Sequence, residues 1–375
     1  MKPGHEIKLW TLNTTCLVIF IIVGIIGMGY RLIHGLGAVT NLNDLYPWGF
    51  WLGFDVLGGV AMAAGGFIIA CAVYIFNWEK YKPISRPAIL TAFLGYLMAV
   101  VALFLDIGHP FRLWHPTIMW QVHSVMWVVA IHVILYTTTL AIESSPMLLE
   151  KTGMKTTLKL VNKIMIGAVI FGVMLSTLHQ ASLGAVFLIA PSKMSPLWYT
   201  HFLPYMFLIS AVAMGMAMVS TEAMLSAKAF NHKIDREIFS GLALGTFRTL
   251  ALYLALKVFF LLKNAGLAPL MDNTLESGMY LFEVILGIVA PLLLLANKKG
   301  RTDLSNIMLA NTLVIAGVLI NRLNVCLFSM DQYAVTKGYG YFPSIMELLI
   351  TLGVVSLGIF IFKLAARYLP LFAKV

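Results

Sequence analysis

Charged residues are scarce in this sequence. Asp, Glu, Lys and Arg make up 11% of its residues, whereas a soluble domain has about 25%. Hydrophobic residues make up 60%, and the mean hydropathy is +0.89. So little charge cannot cover a water-exposed surface. The composition excludes an ordinary soluble protein and indicates an all-α, polytopic membrane protein.

Cysteine is scarce as well. Cys16, Cys71 and Cys326 all fall in apolar segments, and none belongs to a C-x-x-C pair. Iron–sulfur and zinc centres need several convergent ligands at short spacing. We therefore expect no metal and no iron–sulfur cluster in this chain. The net charge of +10 comes from scattered loop residues without a basic stripe, which argues against nucleic-acid binding.

Long apolar runs, by contrast, fill the chain. A spanning helix needs about 20 apolar residues, and ten segments meet this requirement. They lie at about 9–33, 47–76, 86–108, 117–142, 160–191, 199–226, 240–263, 278–296, 304–328 and 342–367. No soluble domain fits in the loops between them. The sequence predicts one integral membrane domain over 1–375, whose first run is a retained helix.

The Lys and Arg residues are distributed unevenly between the two sets of loops. Eighteen of the 26 fall in the two tails and in every second loop, and five fall in the other loops. Cytoplasmic loops carry the excess of Lys and Arg. We therefore expect both termini in the cytoplasm, with the protein in the inner membrane of a bacterial or archaeal cell.

With this orientation, ionisable residues of helices 2–5 gather in the outer half of the membrane. They are Asp55, Asp106, His109, His123 and His179. His179 lies in LSTLHQASLG (175–184), inside an otherwise apolar run. An intramembrane ionisable group costs about 2.5 kcal/mol or more, so it is usually functional or paired. Either Asp55 and His179 form a structural pair, or the cluster binds a ligand.

Two further polar sets occur in the predicted spans. Tyr96, Glu143 and Glu222 lie toward the cytoplasm and could carry protons, although Glu143 could equally be a solvated residue at the end of helix 4. Glu283, Arg322 and Glu347 lie in the outer half. Because a buried Arg normally needs an acidic partner, we expect structural ion pairing among them.

A haem is the alternative that these histidines raise. Facing helices would have to supply paired ligands, but His123 and His132 are nine residues apart and point to opposite sides of helix 4. We expect no haem. The stretch GGVAMAAGG (58–66) predicts close helix packing rather than a phosphate loop. Several aromatic residues near the outer interface fit an interfacial belt or a flat aromatic ligand. They are Tyr46, Trp48, Trp51, Trp114, Trp120 and Trp198.

Four stretches carry a resemblance to a known family. They are LYPWGFWLGFDVLGGVAMAAGGF (45–67), FNWEKYKPISRPAILTAFLGYLMAVVALFLDIG (76–108), LSTLHQASLG (175–184) and GYGYFPSIMELLITLG (338–353). The chain resembles the NrfD/polysulfide-reductase membrane subunits over nearly its whole length. Within that family it is most similar to the branch that serves periplasmic nickel–iron hydrogenases.

The resemblance implies haem-free helical bundles that bind menaquinone or ubiquinone near the outer face. It implies two partners, a periplasmic ferredoxin-like iron–sulfur subunit and a catalytic subunit. The residues expected at the quinone are Asp55, His179, His123 and Trp127. Those expected on a proton path are Tyr96, Asp106, His132, Glu143 and Glu222. One departure is Val128, where that branch has a glutamate; His132 or His123 could replace it.

The function predicted from the sequence is a quinone-binding subunit of a respiratory oxidoreductase. It would pass electrons between an iron–sulfur partner, of a nickel–iron hydrogenase by preference, and the quinone pool. Whether turnover also moves protons across the membrane is left open. The alternatives are the equivalent subunit of a sulfur-respiration or multihaem cytochrome complex, a secondary transporter, and a purely structural anchor.

Overall fold

Ten long helices make up the fold in a computed structural model that describes residues 9–230 and 235–371. We number them α1 to α10. They are Leu12–His34, Trp51–Ile75, Lys82–Asp106, Val125–Thr152, Lys155–Ala185, Leu203–Phe230, Arg236–Asn264, Leu275–Leu295, Leu304–Cys326 and Ile345–Tyr368. Each is long and apolar enough to cross a membrane. The all-α, polytopic architecture predicted from the sequence is confirmed.

Polar caps set the starts of several helices. The side chains of Thr11, Ser124 and Asp303 accept hydrogen bonds from the first turns of α1, α4 and α9, as residues at this position commonly do. The span predicted as helix 4 is present, but its predicted bounds, 117–142, were wrong. The Ser124 cap starts α4 eight residues later, and Gly153, with φ of 73°, ends it.

The helices form two groups of four. One group is α2–α5 and the other is α6–α9, and α2 packs on α6 between them; α1 pairs with α10 beside α3. A Cβ on Gly65 would lie 2.3 Å from Val219, and one on Gly66 would lie 2.3 Å from Ala92. The stretch 58–66 is therefore a helix-packing surface, as predicted.

The start of α1 and the end of α10 lie at the same end of the bundle. Lys363 in α10 donates hydrogen bonds to the Leu9 carbonyl (3.1 Å) and to the Thr11 hydroxyl (3.3 Å). We call this the inner end and the opposite one the outer end. The inner end is the one that the charge distribution predicts to face the cytoplasm.

Candidate functional site

A histidine, His179, lies buried at the centre of the α2–α5 group. This side chain on α5 is fully buried, and neither ring nitrogen has a hydrogen-bond partner among the described residues. Its ring centroid lies 5.6 Å from that of Tyr96 on α3 and 6.3 Å from that of His132 on α4. At 1.5 Å per residue, His179 is about 9 Å from the outer end of α5.

The polar cluster continues inward from His179. The Tyr136 ring packs edge-on against Tyr96 at 4.6 Å, and the Ser176 hydroxyl lies beside both phenols. All three oxygens are buried without a hydrogen-bond partner among the described residues. More than nine-tenths of buried polar groups in proteins are hydrogen-bonded. A run of unpaired ones therefore marks a place where water or a ligand completes the bonding.

Helical spacing brings this cluster together. His132, Tyr136 and Glu143 occupy positions i, i+4 and i+11 of α4, so they lie on one face. Gly172 and His179 lie seven residues apart on the facing side of α5. A Cβ on Gly172 would come within 2.6 Å of the Glu143 carboxylate, so the glycine makes room for it.

Glu143 is not at the end of its helix. The sequence places it at the end of helix 4, but α4 continues to Thr152, and the Glu143 side chain is only 6% exposed. The alternative of a solvated end residue is therefore wrong. Glu222 on α6 is the second buried acid of the inner half. It lies beside Thr91, and neither carboxylate oxygen has a partner among the described residues.

Asp55 does not belong to the His179 cluster. Its carboxylate accepts a hydrogen bond from Thr351 on α10 at 2.6 Å, so the alternative in which Asp55 and His179 form a structural pair is wrong. The reason is helical register. α5 meets α2 at Val60, whose carbonyl accepts from Gln180, and Asp55 is five residues away, about 140° around an α-helix. Asp55 also lies in a wide π-helical turn, Trp51–Gly58, which changes the register further.

A separate polar network closes the outer end around α1, α3 and α10. Arg31 donates to the carbonyls of Leu105 (2.7 Å) and Ile107 (2.6 Å) and lies near the half-buried Asp106. Glu347 caps α10 together with Ser344 and accepts from the Tyr341 phenol at 2.5 Å. Arg31 therefore ties α1 to the end of α3, with Asp106 nearby, and Glu347 fixes the start of α10.

His123 lies outside the helices. It is exposed in the connection 107–124, because α4 begins only at Val125. Trp127, in the first turn of α4, donates its indole N–H to the Pro116 carbonyl at 2.9 Å and so fixes that connection. The structure places neither residue in contact with His179, in contrast to the grouping expected from the sequence.

The outer aromatic residues do not form one belt. Trp114 and Trp120 are exposed, as a belt requires, but Tyr46, Trp51 and Trp198 are almost fully buried. Tyr46, in the loop before α2, donates to Asp331 at 2.9 Å. Burial and this hydrogen bond raise the pKa of Tyr46 well above its usual value, so the phenol keeps its proton.

Ion pairing in the α6–α9 group differs from the prediction. Glu283 pairs with Lys257, which the sequence did not single out, and it also accepts from Trp198, Asn321 and Asn324. Among the described residues, Arg322 donates only to neutral oxygens, those of Asn321, Phe207 and Ser210. Glu347 lies elsewhere. The expected pairing among Glu283, Arg322 and Glu347 is therefore wrong.

Together, these features define a polytopic membrane protein whose first helix group encloses a buried cluster of imidazole, phenol and carboxyl groups. Imidazole, phenol and carboxyl groups in contact can bind and relay protons. Within the described residues, no three His, Cys, Asp or Glu side chains converge as metal ligands would. The profile of the family described as polysulphide reductase, NrfD, matches residues 38–331. The chain therefore belongs to the NrfD family.

Two similar proteins are named as subunits of oxidoreductases. The "probable Ni/Fe-hydrogenase 2 b-type cytochrome subunit" of Escherichia coli is 32% identical over 91% of this chain and 87% of its own length. A menaquinone reductase integral membrane subunit of Nitratidesulfovibrio vulgaris is 28% identical over 92% and 88%. A further protein of the same organism is 38% identical over 94% and 92%. The chain is thus a membrane subunit related to quinone oxidoreductases.

Proposed function

We propose that this chain is the quinone-reacting subunit of a respiratory oxidoreductase and that His179 binds the quinone. The observation that carries the proposal is the buried imidazole with two unpaired ring nitrogens among Tyr96 and His132. A quinone carbonyl needs hydrogen-bond donors, and the cluster offers several that have no protein partner. Menaquinone or ubiquinone would suit these donors equally.

Quinone reduction takes up two electrons and two protons and yields quinol. The electrons would come from a reduced iron–sulfur cluster of a partner subunit docked at the outer end. His179 lies nearest that end and would donate a proton to the substrate oxygen, because imidazole exchanges protons most readily near neutral pH. Tyr96 and Tyr136 would hold the imidazole and supply the next hydroxyls inward. In this scheme Asp55, which is hydrogen-bonded to Thr351, holds α2 against α10 and does not contact the imidazole.

Protons would reach the cluster from the inner half. The unpaired hydroxyls of Tyr136 and Ser176 lead from His179 toward Glu143 on the same face of α4. Internal water would join these groups, because polar atoms this deeply buried need partners. Glu222 and Thr91 would form a second inner acid site. Uptake through Glu143 would make turnover electrogenic.

The partner is proposed from the relatives. A hydrogenase subunit and a menaquinone reductase subunit both match over more than nine-tenths of this chain. We infer an iron–sulfur partner and, by preference, a nickel–iron hydrogenase at the outer end. The inner membrane of a bacterium or archaeon is the location that this role requires.

The direct test compares membranes that contain the chain with membranes from a strain lacking it. A short-chain menaquinone analogue is the electron acceptor. Oxidation of a reduced viologen dye measures the activity of the catalytic partner independently of quinone. Deletion should abolish quinone reduction and leave the dye reaction. Unchanged quinone reduction would refute the function. A second assay supplies molecular hydrogen as the only electron donor. Quinone reduction in that assay would identify a hydrogenase as the partner, because other catalytic subunits do not oxidise hydrogen.

Substitution Glu143→Gln tests the inner proton path. Because the amide cannot carry a proton, we expect quinone reduction to slow by about tenfold or more. In proteoliposomes, proton uptake from the inner side should fall in parallel. Glu150→Gln is the matched control on the same helix, since Glu150 pairs with Arg86 at a part-exposed site (2.6 Å). Equal rates in the two variants would exclude Glu143 from the path.

A further inference from the structure

One network in the α6–α9 group holds three buried charged side chains, of which only two form an ion pair. Lys257 pairs with Glu283, whereas Arg322 lies 3.8 Å above the Phe207 ring and donates only to neutral oxygens. Buried charges are normally paired because their desolvation is costly. The described residues around this network therefore leave one positive charge without a counter-charge.

A cleft lies beside this network. Lys257 lines it, as do Phe207 and Asn321, which Arg322 contacts. The volume open to the centres of water-sized molecules is about 30 Å³, within about 410 Å³ of empty space that includes the open mouth. Tyr253, Lys257 and Leu261 line it along one face of α7. The loop 196–200, the beginning of α6 and Asn321 of α9 form the other sides. Its remaining walls are mostly apolar or aromatic. They include Leu203, Met206, Phe207, Phe260 and Val325.

Two donors and a helix start share this cleft. The Tyr253 phenol is only 4% exposed, yet it makes no hydrogen bond with any residue that the structure describes. Lys257 makes one hydrogen bond with the residues that the structure describes, to Glu283, and so keeps further N–H groups. α6 begins at Leu203 in the cleft wall, and the start of a helix carries partial positive charge. All of these features favour an anion.

We propose that this cleft binds a phosphate-type oxyanion, with Lys257 and Tyr253 as its donors. The bound negative charge would balance the excess positive charge of the network. The same chemistry is offered by the phosphate of a phospholipid and by free phosphate, and the apolar walls favour the phospholipid. This site uses α6, α7 and α9, whereas the proposed quinone site uses α3, α4 and α5. It therefore does not depend on the proposed function.

The test measures the thermal unfolding midpoint of the detergent-purified protein during titration with inorganic phosphate or with phosphatidylglycerol. Native mass spectrometry counts the lipid retained. Both variants should lose a charge-assisted hydrogen bond, so Tyr253→Phe and Lys257→Met should weaken the binding by about tenfold. Tyr339→Phe is the matched control, since Tyr339 is exposed in a loop.

The outcomes separate the two sources of phosphate. Retained phosphatidylglycerol that both variants lose identifies a lipid site. A midpoint that rises with inorganic phosphate alone, with the same dependence on the variants, identifies a free-anion site. Equal binding by wild type, Tyr253→Phe and Tyr339→Phe would overturn the proposal. Tyr253→Phe removes one hydroxyl and keeps the ion pair, so it decides the matter even if Lys257→Met does not fold.

Discussion

Replacing His179 by phenylalanine should reduce quinone reduction by a factor of about 100 or more, the lower end of what a general acid contributes. Phenylalanine keeps an aromatic ring in the space between Tyr96 and His132 but removes both nitrogens. The substitution therefore removes the proton donor with little change in packing. The measurement is quinone-analogue reduction by the purified complex, normalised to the amount of this chain in it.

Three comparisons make the result specific. The exposed His201 serves as the matched control, and His201→Phe should leave the rate unchanged. The viologen-dye reaction should stay normal in both variants, because it does not use this chain. If His179→Phe fails to assemble, Tyr96→Phe tests the same cluster by removing one hydroxyl. A His179→Phe complex that assembles and reduces quinone at the wild-type rate would refute the role of the imidazole.

Much of this cluster could be predicted from sequence periodicity. His179 is a polar residue in an apolar run, and Tyr96 lies midway along a predicted helix. The α4 residues at i, i+4 and i+11 and the α5 residues Ser176 and His179 at i and i+3 give two facing polar stripes. Sequence reasoning missed Tyr136 and Ser176, although that spacing could have found them.

The partners of the outer acids could not be predicted in the same way. Membrane depth follows from residue number, so Asp55, Asp106 and His179 were correctly placed in the same half of the bundle, relative to its inner and outer ends. Direction around the helix depends on regular turns, and α2 has a wide turn at Trp51–Gly58 that contains Asp55. A prediction from membrane depth alone therefore assigned Asp55 and His179 to one cluster, although they face different helices.

The α4 boundary shows a related limit. Residues 117–124 include Ile118, Met119, Trp120 and Val122 and therefore resemble the start of a span, but Ser124 caps the helix and leaves His123 exposed. Lys257 went unnoticed for another reason. The role of Lys257 depends on its ion pair with Glu283, which is 26 residues away along the chain and on another helix. Pairing of this kind is set by tertiary packing.

Glu283→Ala should have the largest effect on stability. Glu283 is 1% exposed and accepts from Lys257, Trp198, Asn321 and Asn324. Its removal would leave Lys257 and Arg322 as two buried cations and four donors without their acceptor. Breaking a buried pair by removing one partner costs about 3–5 kcal/mol. The thermal unfolding midpoint of the purified protein should therefore fall sharply.

Two other variants separate charge from the loss of contacts. Lys257→Met leaves one cation and one anion in the network, so it should cost less than Glu283→Ala. The double variant Lys257→Met/Glu283→Gln removes both charges and keeps an acceptor oxygen, so it should be more stable than Glu283→Ala. Glu150→Gln breaks the part-exposed pair with Arg86 and should cost about 1 kcal/mol or less.

If Glu283→Ala unfolded at the same temperature as Glu150→Gln, the buried network would not hold α6–α9 together. A sharp fall in Glu283→Ala alone would show that the stability of this group depends on one carboxylate shared by three helices and the loop that carries Trp198.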